Sequence, residues 1–129
     1  MRVLVVDDSA VTRAILSQAL HHFGRFQLVF AADGEQAKGL MDGVELVITD
    51  WMMPRTDGLA LTRWIREHPA HRNLPVIMVT AADQGEESRA AAAAAGVDLF
   101  IEKTFAPDDI DAAVRRAVAA RSGGGPAPA

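Results

Sequence analysis

The sequence predicts an α/β domain in which five parallel strands alternate with five helices. Short apolar runs rich in β-branched residues recur along the chain, and each is followed by a segment whose apolar residues have helical spacing. Such alternation is typical of a parallel sheet that helices cover on both faces. The length of 129 residues suits one domain with a single core.

The first strand and helix are indicated by a change of periodicity after position 9. The run Arg2–Val6 is continuously apolar after its arginine, as in a strand buried on both faces. A helix is predicted over residues 10–23, with Gly24 as its stop. Its buried stripe is expected to consist of Val11, Ile15, Ala19 and Phe23, widened by Leu16 and Leu20.

The next three elements are separated by Asp-Gly pairs, which favour turns. A second strand is predicted at residues 27–31, a short second helix at 35–41 and a third strand at 45–49. The third strand is apolar and leads directly into Asp50.

The second half of the chain repeats the pattern. Proline brackets the exit of the third helix, and acids at the start of the fourth suit the helix dipole. Residues 122–129 contain only Ser, Gly, Pro and Ala and are expected to form a flexible tail or the start of a linker, after a folded domain at 1–121. The predicted elements are a third helix through 61–68, a fourth strand at 76–79, a fourth helix at 86–95, a fifth strand at 99–101 and a fifth helix from Pro107 to about Arg121.

Composition narrows the classes of function. Thirteen basic and seventeen acidic residues give a net charge of −4, without the basic surface that direct nucleic acid binding needs. The absence of cysteine excludes disulfides, thiolate metal sites and a thiol nucleophile. No apolar run approaches the ~20 residues that span a bilayer. We also expect no secretion signal, because a strand-like segment follows Met1 at once. We expect a cytoplasmic protein without membrane insertion or direct nucleic acid binding.

Polar side chains stand at the carboxyl ends of four of the predicted strands. Ligands of open parallel sheets bind beyond these ends, so we expect the side chains to converge. Asp7 and Asp8 follow the first strand, Asp50 follows the third, Thr80 ends the fourth and Lys103 follows the fifth.

The three aspartates predict a metal site. Carboxylates that converge in one cleft repel one another, and a bound cation relieves the repulsion. Oxygen ligands without histidine or cysteine favour a hard ion, Mg²⁺ or alternatively Mn²⁺. We expect direct ligation by Asp8, Asp50 and the backbone carbonyl of Met52, with Asp7 acting mostly through water.

Asp50 is the predicted nucleophile of a phosphoryl transfer. A carboxylate can attack phosphorus and form an aspartyl phosphate, and a metal ion with a cationic side chain neutralises charge on the transferring group. The Lys103 ammonium is expected to pair first with Asp50 and then with a phosphoryl oxygen. The Thr80 hydroxyl is expected to donate to another of these oxygens.

Several motifs follow one another along the chain in a characteristic order. They are Val-Leu-Val-Val-Asp-Asp-Ser at 3–9, Thr-Asp-Trp-Met-Met-Pro at 49–54, Asp57-Gly58, Met-Val-Thr-Ala at 78–81, Phe100 and Lys103. Together they resemble the receiver domain of two-component response regulators, in particular the CheY-like single-domain type. The resemblance implies a flavodoxin-like fold with strand order 2-1-3-4-5 and phosphorylation of Asp50 by a histidine kinase or a histidine phosphotransfer protein, with no separate substrate.

The resemblance also implies how the signal leaves the site. Thr80 and Ala81 belong to the segment that binds the phosphoryl group, and Phe100 turns inward as Thr80 moves. The face made by the fourth helix, fifth strand and fifth helix then changes, and a downstream protein partner binds it. One departure concerns Thr104, since the family usually has proline directly after the lysine.

Other interpretations stay open at this point. Asp7 and Asp8 can serve only as caps of the first helix, and Phe100 can be plain core. The whole domain can be a receiver-like interaction module that no longer takes phosphate. A small aspartyl-phosphate phosphatase is a further alternative, although Ser9 stands where such enzymes need a second aspartate.

Overall fold

The computed structural model describes residues 1–21, 24, 26–51, 57–80, 85–102 and 107–122. No helix within these ranges has the length and hydropathy needed to span a membrane. The elements are β1 (Arg2–Val6), α1 (Ala10–His21), β2 (Gln27–Ala31), α2 (Gly34–Lys38), β3 (Leu46–Asp50), α3 (Gly58–Glu67), β4 (Val76–Thr80), α4 (Gly85–Ala95), β5 (Leu99–Glu102) and α5 (Pro107–Ser122).

The strands form one parallel sheet in the order β2-β1-β3-β4-β5, as predicted. Strands β3 and β4 are buried along their whole length, which explains their uninterrupted apolar sequence. Successive side chains alternate between the two faces. Val3 and Val5 join the cluster under α1 and α5, and Leu4 and Val6 join the cluster under α2 and α3.

Helix α1 buries only part of the predicted stripe. Leu16, Ala19 and Leu20 are buried as predicted, whereas Val11 is 68% exposed and Ile15 47% exposed. Phe23, the last residue of that stripe, lies outside the described residues. Two stripes displaced by one residue have the same helical period, so spacing alone does not decide which of them faces the sheet. The side chains at positions 16 and 20 reach the core because they lie one helical step further round the axis.

The end of α2 and the end of β3 differ from prediction. Helix α2 ends at Lys38 rather than at 41, because Gly39 closes it with bonds to the preceding turn. Strand β3 includes Asp50, which pairs with Val79 of β4. Asp50 therefore closes its strand instead of following it, and the rigid sheet sets its backbone position.

A charged cluster around Asp98 ties together elements at the opposite edge of the sheet. One carboxylate oxygen accepts from Arg66 Nη2 at 3.0 Å and from the Val76 amide at 2.8 Å, and the other accepts from Arg121 Nε at 2.8 Å. Arg66 also donates to the Gly96 carbonyl. Burial lowers the pKa of Arg66, and the charge of Arg121 lowers it further. The cluster holds the ends of α3 and α5 against the start of β4.

Replacing Asp98 by alanine is expected to lower the free energy of unfolding by about 2–4 kcal/mol. The change leaves two partly buried guanidinium groups without their shared carboxylate. Urea denaturation measures the loss, with Asp42→Ala in an exposed turn as the matched control. Equal stability of the two variants would show that the Asp98 cluster contributes nothing.

Candidate functional site

Three carboxylates meet at the carboxyl-end edge of the sheet. Asp7, Asp8 and Asp50 each offer an oxygen, and these oxygens lie within 4.8 Å of one another. They meet because β1 and β3 are neighbours in register, with Val6 opposite Thr49. Asp7 and Asp50 are buried and Asp8 is exposed, so the cluster opens to solvent on one side.

Local hydrogen bonds orient the two buried carboxylates. Asp7 Oδ1 accepts from the Ser9 amide at 2.8 Å, and Asp50 Oδ1 accepts from the Trp51 amide at 2.8 Å. Arg13 on α1 donates through Nη1 to the carbonyl oxygen of Asp7. The backbone after each strand thus fixes the carboxylate that ends it.

The start of α1 bears on the capping alternative for Asp7 and Asp8. The side chain of Ser9 accepts from the Thr12 amide at 3.3 Å, and its carbonyl accepts from the Arg13 amide at 3.0 Å. Ser9 therefore performs the N-terminal capping of α1. The acids that precede it are directed toward the cluster.

The donor set fits a hard divalent cation. The clustered groups are all carboxylates, and hard cations such as Mg²⁺ take oxygen ligands. Asp8 is exposed at the cluster, which leaves room for the waters that Mg²⁺ usually keeps. The residues present are therefore suited to hold this ion.

Gly58 is a site residue that the sequence interpretation treated only as part of a turn motif. Its amide donates to the Trp51 carbonyl at 2.8 Å, and the Asp57 carboxylate caps α3 by accepting from the Ala60 amide. A Cβ on Gly58 would lie 2.2 Å from the carbonyl oxygen of Asp50. Helix α3 thus begins in direct contact with the Asp50 backbone, which only a residue without a side chain allows.

The structure describes two of the other predicted site residues, Thr80 and Phe100. Thr80 is buried at the last position of β4, beside the strand that carries Asp50. Phe100 lies in β5, half-buried, with its ring centroid 5.7 Å from that of Trp51. Met52, Ala81 and Lys103 lie outside the described residues, as does Thr104, so their roles stay predictions.

Comparison with known proteins identifies the family. The model of the response regulator receiver domain matches residues 3–115. A chemotaxis protein CheY homolog from Campylobacter jejuni is 34% identical over 98% of this chain and 99% of that protein, and the chemotaxis protein CheY1 of Helicobacter pylori is 34% identical over 83% and 88%.

Solved structures agree with these relatives. CheY4 of Vibrio cholerae superposes with a TM-score of 0.81 at 25% identity, over 90% of this chain and 97% of that one. The receiver domain of a histidine kinase from Syntrophus aciditrophicus gives a TM-score of 0.82 at 27% identity, over 99% and 98%. The chain belongs to the response regulator receiver domain family of two-component signalling and is CheY-like in fold.

Proposed function

We propose that this receiver domain accepts a phosphoryl group on Asp50 while Asp7, Asp8 and Asp50 hold Mg²⁺. The observation that carries the proposal is the convergence of three carboxylate oxygens within 4.8 Å at one strand edge. Asp50 is the member of that group in the central strand β3, and its carboxylate is oriented by the Trp51 amide. Its position suits a nucleophile whose approach is set before the donor arrives.

Three side chains of this domain are proposed to take part in the phosphoryl transfer. A carboxylate oxygen of Asp50 forms the new bond to phosphorus as the donor's leaving group departs with its bonding electron pair. The Thr80 hydroxyl, one strand away, is suited to donate to a phosphoryl oxygen. Lys103 is proposed to pair with another oxygen. Bound Mg²⁺ would supply neutralisation of charge on the transferring group.

The proposed partners are a histidine kinase or a histidine phosphotransfer protein as donor and a downstream protein as target, in the cytoplasm and without a separate substrate. The target is proposed to bind the face of α4, β5 and α5. Two clefts on this face, of about 350 Å³ and about 110 Å³, share the walls Leu99 and Phe100. They give a partner a surface on both sides of β5.

The proposal is tested by incubating the protein with acetyl phosphate and Mg²⁺ and following its intact mass. The expected result is the gain of a single phosphoryl group that is stable in acid. Hydroxylamine or alkaline buffer should remove it, because both cleave an acyl phosphate. No gain in mass would favour an interaction module independent of phosphorylation. Repeated turnover of p-nitrophenyl phosphate would instead favour the phosphatase.

A further inference from the structure

Phe100 is held between two side chains that belong to different parts of the domain. On one side the Trp51 ring meets it edge to face, with centroids 5.7 Å apart and planes at 83°. Helix α4 supplies the other contact, since the guanidinium carbon of Arg89 lies 5.4 Å from the Phe100 centroid. Trp51 is bonded directly to Asp50 and donates its amide to that carboxylate. A chain of contacts therefore leads from Asp50 to the surface of α4.

Arg89 is important for side-chain contacts of α4 because the rest of that helix is rich in alanine. From position 89 to the end of the helix at 95, Arg89 carries the only side chain longer than a methyl group. Ala92 and Ala95 are buried, but neither has an extended side chain that could contact residues of a neighbouring element more widely. A guanidinium over an aromatic ring is attracted by its negative face. The contact with Phe100 is thus one side-chain attachment of α4 to β5.

We propose that Arg89 acts as a latch on Phe100. Its guanidinium holds the Phe100 ring in the position of the unphosphorylated domain, and this contact sets how readily the domain switches. The inference rests on the proposed function and on the turning of Phe100 that the resemblance to receiver domains implies. An interaction that stabilises the starting arrangement weakens binding of any ligand that requires the other arrangement. Loss of the latch therefore makes the phosphorylated arrangement easier to reach.

The latch is tested by the affinity of the full chain for beryllofluoride, a phosphoryl mimic, in Mg²⁺. Arg89→Ala is expected to bind it about two- to fivefold more tightly than the wild type, the range of an exposed cation–π contact. Arg89→Lys keeps the cation and is expected to stay near the wild type. Arg63→Ala, which removes an exposed arginine from α3, outside this face, is the matched control and is expected to change nothing.

A second readout separates a latch from a general loosening of the helix. The indole N–H resonance of Trp51, assigned with Trp51→Phe, is expected to shift in Arg89→Ala, while that of Trp64 on α3 stays in place. Unchanged or weaker beryllofluoride binding by Arg89→Ala would overturn the latch, as would equal effects of Arg89→Ala and Arg63→Ala. Failure of the wild type to bind beryllofluoride would overturn the proposed function instead.

Discussion

Replacing Asp50 by asparagine is expected to abolish phosphoryl uptake from acetyl phosphate. The amide is a poor nucleophile, and the change also removes one of the three anionic groups proposed to hold Mg²⁺. The loss should be at least about two orders of magnitude in rate, the scale on which removal of an essential reacting group is felt. Mass spectrometry after incubation in Mg²⁺ measures it.

The matched control is Asp42→Asn, which makes the same chemical change in an exposed turn and should leave uptake at the wild-type rate. Circular dichroism of both variants checks that the fold is kept. Undiminished labelling of Asp50→Asn would contradict the assignment, because the phosphoryl group would then be carried by another residue.

Gly58→Ala is expected to impair both stability and phosphorylation. The new Cβ would meet the Asp50 carbonyl oxygen at 2.2 Å and the Met78 side chain at 2.9 Å, so the start of α3 or the end of β3 must move. Overpacking of this kind costs about 1–3 kcal/mol of stability, and misplacement of the nucleophile slows the transfer. Urea denaturation and the rate of uptake measure the two effects.

Gly39→Ala provides the control for Gly58→Ala. A Cβ at Gly39 would meet only the Gln36 carbonyl at 3.6 Å, an ordinary contact. That variant should therefore keep the stability and phosphorylation rate of the wild type within a small margin. If Gly58→Ala behaved in the same way, the close approach of α3 to Asp50 would have no role in placing the nucleophile.

The sheet could be predicted from sequence because its central strands are buried on both faces. Residues 3–6, 46–50 and 76–80 lack the polar alternation of surface strands, and burial on both sides is its physical cause. The buried face of α1 could be predicted only in part. The predicted stripe contained both Ile15 and Leu16, and only packing against the sheet selects Leu16.

The candidate site could likewise be predicted from the sequence only in part. Asp7, Asp8 and Asp50 could be identified because strand ends in a parallel sheet share one edge. The contacts of Gly58 with Asp50 and of Arg89 with Phe100 could not be identified, although only 8 and 11 positions separate the paired residues. Close approach and ring contact depend on the relative placement of helices and strands, which leaves no periodic signal in the chain.

The central claim is that the acids at the ends of β1 and β3 share one hard-metal pocket. A crystal soaked in Mn²⁺ tests it directly, because the anomalous signal locates the ion without reference to the protein. The expected result is a single strong anomalous peak for an ion coordinated by oxygens of Asp8 and Asp50. Asp7 should lie within reach of a water bound to that ion. A peak elsewhere, or none at this edge of the sheet while the carboxylates keep their places, would contradict it.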